Sequence, residues 1–469
     1  MKRIIGIQHR VKASAKGEAR PTVVTIALEG DLSQSVQIKL PDEQSELDFA
    51  LGRYPLKMRA VTAEDDISNI PAHQLTVKEI SEDEVALHPA AHVQKIGRKH
   101  FVVTKIPDVV EGPKQDDSVV MTLGGSGDNF AYALSQAGES SGVAVLRTPP
   151  SALKAYRDET GEKDKESDSS LLVKLFGVKP EAFYQVKAKD RDLIVVRESF
   201  RARMEAMKAR IGCEQRLGSL AIGRVFTSPG GLYAQGNVEK AFDELKANDA
   251  VYLALVSEES KRNKDLAKAL EKIPVYTQVF ANVEGVGPSI AAKIIASIGD
   301  IKQFPTVAKF KAFCGLHVFS ATGDRLMTGD TPPTDGGIFP RKRRGKVCNW
   351  NPDMRQAFFL VFDQFNRRPG SPWGAKLLDY KAKFRLKHPE KIQIEVPNPE
   401  KPGTTKKVWK YNDGHILRMA QWRTATKFAE WLYKEWRRLD RGAVVANPSE
   451  TPESGPNSGL DDQSQREAA

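Results

Sequence analysis

Residues 118 to 147 read SVVMTLGGSGDNFAYALSQAGESSGVAVLR, and this stretch decides the fold of the N-terminal part of the chain. Ser118 to Leu123 and Gly142 to Arg147 are rich in β-branched residues and bounded by polar or glycine turns, which predicts two strands. Asn129 to Ala137 between them predicts a helix. Strand, glycine turn, helix and strand make the βαβ unit of an α/β layer, whose two strands lie parallel. The turn Gly124-Gly125-Ser126-Gly127 is a weak phosphate signal, because it lacks both the lysine of a phosphate loop and the dinucleotide spacing.

Working outward, Arg3-Ile4-Ile5-Gly6-Ile7 and Thr22-Val23-Val24-Thr25-Ile26-Ala27-Leu28 predict neighbouring strands, and Lys99 to Ile106 a further one. Residues 63 to 97 are acidic and read as an irregular insertion. Within them His88-Pro89-Ala90-Ala91-His92 sets two imidazoles four apart, but Pro89 interrupts a helix and no carboxylate follows at ligand spacing, so no metal site is expected. From Lys187 the period lengthens. Leu193, Val196, Phe200, Met204, Met207 and Ile211 recur every three or four residues, as do Val238, Phe242 and Leu245 and then Leu266, Leu270 and Ile273, after a break at Ser228-Pro229-Gly230-Gly231. This predicts a helical hairpin whose apolar stripe pairs within itself, with a second chain as a coiled coil, or with a globular core.

The 469 residues carry 71 Lys+Arg against 60 Asp+Glu, a formal charge of +11, with 28% charged and 40% hydrophobic residues. That is a globular composition, long enough for about two to four domains. No apolar run approaches the ~20 residues of a membrane span, and Lys2-Arg3 is not followed by a signal-peptide core, so a cytoplasmic protein without membrane contact is expected. Cys213, Cys314 and Cys348 lie far apart without a CxxC pair, which encodes neither a disulfide framework nor a thiolate zinc site. The positive charge is concentrated: Arg341 to Arg441 hold 25 Lys+Arg against 10 Asp+Glu, together with all six tryptophans, Trp350, Trp373, Trp409, Trp422, Trp431 and Trp436. Cations interleaved with flat rings suit a nucleic-acid surface, neutralising phosphates and stacking on unpaired bases. The other reading puts the tryptophans in a core beneath a solvated charged face. Residues 442–469, Ser/Pro/Gly/Glu-rich, lack the apolar groups to offset ordering and are expected to be disordered.

Residues 283 to 318 read VEGVGPSIAAKIIASIGDIKQFPTVAKFKAFCGLHV. Gly285 and Gly287 permit a tight turn with outward N–H groups, Pro288 fits the first helical position, and the helix dipole adds positive potential, so the turn suits a phosphate. The string resembles the C-terminal domain of the bridge-RNA-guided transposases of the insertion sequence 110 family, where a GvGp hairpin precedes AeiGdi-like and FpsxxxLaaYaGL-like segments and a loop with a nucleophilic serine. Upstream, DKESDSSLLVKLF at 164 to 176 stands where that family has a TDxxDAxxLAxxF-like string. The resemblance covers most of the chain from Ser118 to about Leu439. The same architecture is similar to the Nop-domain proteins of the tandem-interspaced-guide-RNA (Tas) systems. It implies an α/β plus all-α chain: a degenerate RNase H/RuvC-like domain over 1–186 with the insertion at 63–97, a coiled-coil hairpin over 187–280, a basic helical Nop/transposase-like domain over 281–441, and the tail.

Departures from the transposase pattern fall on its catalytic residues. The family's RuvC-like domain holds divalent metal with four carboxylates. Its first Asp follows a GI dipeptide, and here Gly6-Ile7 is followed by Gln8; its Glu ends the strand before the glycine turn, and here Thr122 stands there. Of the last pair, Asp168 aligns with one and Lys165 with the other, flanked by Asp164 and Glu166; Asp164 and Asp168 share a face if the segment is helical. Thr322 occupies the serine's place, with Ser320 two residues away. The candidate catalytic residues are therefore Asp164, Asp168, Ser320 and Thr322, and Mg²⁺ is expected only if the RuvC-like site is active. The resemblance implies an RNA-guided DNA-binding protein that holds a structured guide RNA and pairs it with double-stranded DNA; the missing carboxylates predict that it lacks nuclease activity of its own, and the apolar stripe on the long helices predicts a homodimer. RNA contacts are expected at Gly285, Gly287, His317, Arg341, Lys342, Arg343, Arg344, Lys346, Trp350, Arg367, Arg368, Lys406, Lys407, Arg418 and Arg423. An active transposase, and a structural RNA-binding core that recruits a separate enzyme, stay open.

Overall fold

The computed structural model describes residues 2–10, 21–122, 127–162, 168–228, 237–317, 350–397 and 404–442. It divides into two compact units, Met1–Arg191 and Asp192–Ala469, and is mixed α/β. The tail from residue 443 lies outside the described residues.

In the first unit β1 (Arg3–Gln8), β2 (Thr22–Leu28) and β3 (Asp31–Leu40) form an antiparallel meander, followed by α1 (Glu43–Ala50). Next, β4 (Tyr54–Ala60), β5 (Thr76–Ile80), β6 (Val93–Ile96) and β7 (Lys99–Glu111) build a separate sheet in which β7 pairs with the other three. The chain then returns through β8 (Ser118–Thr122), α2 (Asp128–Ser141), β9 (Ala144–Thr148), α3 (Pro150–Thr160), α4 (Asp168–Val178) and β10 (Tyr184–Gln185). The main sheet has the order β10-β9-β8-β1-β2-β3, with β8 parallel to both β1 and β9. The βαβ unit predicted for 118 to 147 is therefore present.

Alternation along these strands feeds two cores. Ile5, Ile7, Val119 and Met121 are buried with Phe130 and Leu134 of α2, whereas Val120 is buried with Leu153 of α3 and Leu171, Leu172 and Leu175 of α4. Each such buried side chain contributes about 1.5–3 kcal/mol. Two sequence expectations change. Residues 63–97 are not irregular but contain β5 and β6; both strands are short and largely exposed, so no apolar alternation announces them, and pairing with β7 makes them. The strand at Lys99 runs on to Glu111 and belongs to this second sheet, around Ile67, Val103 and Ile106.

The second unit is mainly helical: α5 (Ala188–Phe226, opening within the first unit), α6 (Val238–Asn248), α7 (Ala250–Glu271), α8 (Pro274–Gln278), α9 (Pro288–Ile298), α10 (Val307–Phe313), α11 (Pro352–Arg367) and α12 (Pro372–Lys387). A two-stranded ribbon, β11 (Ile392–Pro397) and β12 (Thr405–Lys410), and the long α13 (Asp413–Asp440) complete it. The two arms of the predicted hairpin pair with each other within the chain. Arg203 donates to Asn263 at 3.1 Å, Arg210 donates to Glu259 at 2.5 Å, and Phe242 lies against Gly218, which sets α5 antiparallel to α7 and α6. Its returning arm is interrupted at Asp249, which leaves α6 and caps α7 by accepting from the Tyr252 amide at 2.7 Å. The core below is aromatic: Phe358 and Phe365 of α11, Trp373 of α12, and Phe428 and Trp431 of α13 meet at centroid distances of 5.1–6.0 Å.

Candidate nucleic-acid interface

In the first unit, the carboxyl ends of parallel strands are where an α/β sheet presents ligand-binding groups. The register Ile7↔Met121 and Thr122↔Thr148 brings Gln8, Thr122 and Thr148 to one such end. The two neutral residues singled out in the sequence are thus neighbours. Around them, carboxylates are matched by cations. Buried Arg147 pairs with buried Asp128 at 2.6 Å and donates to the Thr122 carbonyl at 3.3 Å. Glu46 accepts from Thr22 at 2.6 Å and lies 3.3 Å from His9. Burial opposes its ionisation, but hydrogen bonds from His9 and Thr22 prevail and hold its carboxyl below the usual range. Asp168 begins α4 and is paired with Arg157. Its neighbour Ser169 lies against β1, since a Cβ on Gly6 would fall 2.0 Å from the Ser169 carbonyl oxygen. Among the described residues no group of three or more His, Cys, Asp or Glu could hold a metal. Asp164 and Glu166 lie outside the described residues. His92, weighed above as a metal ligand, is buried with its Nε2 at 2.8 Å from the Asp65 carbonyl oxygen.

In the second unit, the GVGP turn is anchored by buried Val283 and Val286. Gly285 has φ +90°, a conformation that favours glycine, and a Cβ there would meet Gln364 at 3.1 Å and Arg368 at 3.4 Å. Gly287 caps α9 without any side-chain hydrogen bond. The turn therefore rests against the last turn of α11, where Arg367 and Arg368 are exposed, their guanidinium groups held by Asp363 at 2.9 Å and Gln364 at 2.5 Å. Of the expected contact residues, Gly285 and Arg368 meet there, with Gly287 two residues along the turn and Arg367 beside Arg368 in the chain.

At the opposite end of α11, His317 and Trp350 lie edge to face at 6.4 Å. The Asn351 amide donates to the Phe313 carbonyl at 2.8 Å, closing the backbone on either side of residues 318–349. Arg355 donates to the Gly315 carbonyl and lies 4.0 Å from the Trp422 ring centroid, which in turn meets Phe362 at 4.9 Å. Ser320, Thr322, Arg341, Lys342, Arg343, Arg344 and Lys346 lie outside the described residues, in the segment whose ends this cluster draws together. Sequence reasoning missed Arg355; its spacing from Trp422 carries no local signal.

Of the remaining expected contacts, Lys406 and Lys407 are exposed on β12 and Arg418 is exposed on α13. Arg423 is half-buried, its guanidinium 5.9 Å from the Tyr380 ring. The tryptophans divide. Trp373, Trp431 and Trp436 are core residues, Trp350 and Trp422 are half-buried, and Trp409 is 52% exposed. The core reading of the aromatic run therefore holds for Trp373, Trp431 and Trp436 and not for Trp409.

A family model described as the transposase IS116/IS110/IS902 family matches residues 277–322. The matched segment contains the GVGP turn, α9 and α10, and reaches Thr322. No curated protein matches the chain. No helix among the described residues is long and apolar enough to cross a membrane.

Proposed function

We propose that the protein is an RNA-guided DNA-binding protein, related to the transposases its central segment matches, that grips a structured guide RNA with its second unit. One observation supports the reading: the GVGP turn meets the Arg367–Arg368 end of α11, and His317 and Trp350, which flank the stretch whose sequence includes Arg341–Arg344, meet at the other. Backbone amides and guanidinium groups contact phosphate and sugar, so base pairing by the guide supplies the sequence recognition. The first unit, in this reading, is a degenerate RNase H/RuvC-like domain. Its strand order and the meeting of Gln8 and Thr122 at the parallel strand ends support that assignment. A neutral amide and a hydroxyl there leave divalent metal without two of the four carboxylates that such a site uses.

Sequencing the RNA that copurifies with the protein tests the reading. One discrete structured species is expected, and reversing Arg341, Lys342, Arg343 and Arg344 to Glu abolishes its retention. Unchanged RNA occupancy after that reversal removes the basic run as the contact. A second reading, strand transfer through a hydroxyl nucleophile, is favoured by the family match reaching Thr322. It requires a covalent protein–DNA adduct lost in Thr322→Val or Ser320→Ala; the binding-only reading expects no adduct and no cleavage in Mg²⁺ or Mn²⁺.

A further inference from the structure

We propose that the ribbon β11–β12 is a finger for unpaired nucleic acid, with Trp409 as its base-stacking platform. The inference rests on the reading that the second unit holds nucleic acid, and it assigns a separate element to an unpaired stretch. A lone two-stranded ribbon is marginal in water and usually needs a third surface to cover it. This one carries six cross-strand pairs, yet Ile392 is 45% exposed, Trp409 is 52% exposed, and Lys406 and Lys407 are exposed. An indole so open is unlike the three core tryptophans of the same unit.

Charge says what covers it. Residues 391 to 410 hold five lysines against two glutamates, and the Lys391 ammonium sits 5.1 Å from the Trp409 ring centroid. Lys407 lies two residues from Trp409 on the same ribbon face. A flat ring flanked by cations matches a base with its phosphates, and stacking of that kind tolerates any sequence because every base has a π face. A protein partner with an acidic apolar patch would satisfy the charge but leaves the ring-and-cation spacing without a purpose.

The base of the ribbon is built to hold position. Arg385 donates to the carbonyl of His388, just before β11, at 3.3 Å and to that of Tyr411, just after β12, at 3.1 Å, so one guanidinium clamps both feet. The rings of His388 and Tyr411 stack at 3.9 Å, and those of Tyr411 and His415 at 5.5 Å.

Fluorescence anisotropy with the full-length protein tests the finger, using a labelled oligothymidine of about 12 nucleotides and a duplex of the same length as probes. Trp409→Ala is expected to weaken single-strand binding about tenfold, with Trp409→Phe retaining most of the affinity and duplex binding changing by less than about twofold. Because Trp409 is exposed, both variants keep the wild-type melting temperature. Unchanged single-strand affinity in Trp409→Ala, or an equal loss on duplex, overturns the finger while copurified RNA in the same preparations upholds the wider reading. A wild-type protein that binds neither probe and carries no RNA overturns both.

Discussion

At Gly6 the backbone of α4 comes so close to β1 that a methyl group has no room. A Cβ would fall 2.0 Å from the Ser169 carbonyl oxygen and 2.9 Å from a Val173 methyl. The approach is locked by the hydrogen bond between the Thr25 and Ser169 hydroxyls at 2.8 Å. Gly6→Ala must therefore push α4 off the sheet, an overpacking cost of about 1–3 kcal/mol, visible as a lower thermal midpoint by scanning calorimetry. The buried pair Asp128–Arg147 makes a second residue-scale case, because its side chains are 1% and 4% exposed. Asp128→Ala strands a buried guanidinium and is expected to destabilise the first unit by about 3–5 kcal/mol in urea unfolding, more than truncating both partners together.

Among the elements, the ribbon has a root that responds to acid. Burial, then the nearby charge of Lys387 and Lys410, lowers the affinity of His388 for a proton; burial, then Lys410 and Arg418, does the same for His415. His415 Nδ1 also accepts the Tyr411 amide at 3.0 Å, a bond only the unprotonated nitrogen makes. Both imidazoles are thus held below their unfolded value of about 6.5. Their neutral forms stabilise the root fully above that pH, and the stabilisation is lost as pH falls below it, because the unfolded root binds protons first. Amide exchange, corrected for its intrinsic pH dependence, is expected to show residues 392–397 and 405–410 losing protection between about pH 7 and 5. An unchanged profile across that window, or one that survives in His388→Asn/His415→Asn, removes the imidazoles as its cause.

For the whole molecule, the hairpin leaves an apolar surface after its own arms have paired. Leu220, Ile222 and Phe226 of α5 are 46%, 47% and 65% exposed, and Val251 and Leu253 of α7 are 61% and 48% exposed. A second copy laid on these residues would bury them, the coiled-coil alternative left open by the sequence pattern. Light scattering at micromolar concentration is expected to give a dimer that Leu220→Glu/Leu253→Glu converts to a monomer; a wild-type monomer, with and without RNA, leaves the hairpin purely intramolecular.

Local chemistry alone determined the βαβ unit at 118 to 147, the GVGP turn before α9 and the long helices from Lys187, since hydrophobic period, turn glycines and a proline at the first helical position act within a few residues. Tertiary structure decided the rest. It made strands of the exposed, patternless β5 and β6 by giving them β7 to pair with. It brought Gln8 to Thr122, and Gly285 to Arg368, across more than eighty residues in each case. It also sorted the tryptophans, sending Trp373, Trp431 and Trp436 inside and Trp409 out, because burial depends on which face of an element meets another, and that is settled by contacts far apart in the chain.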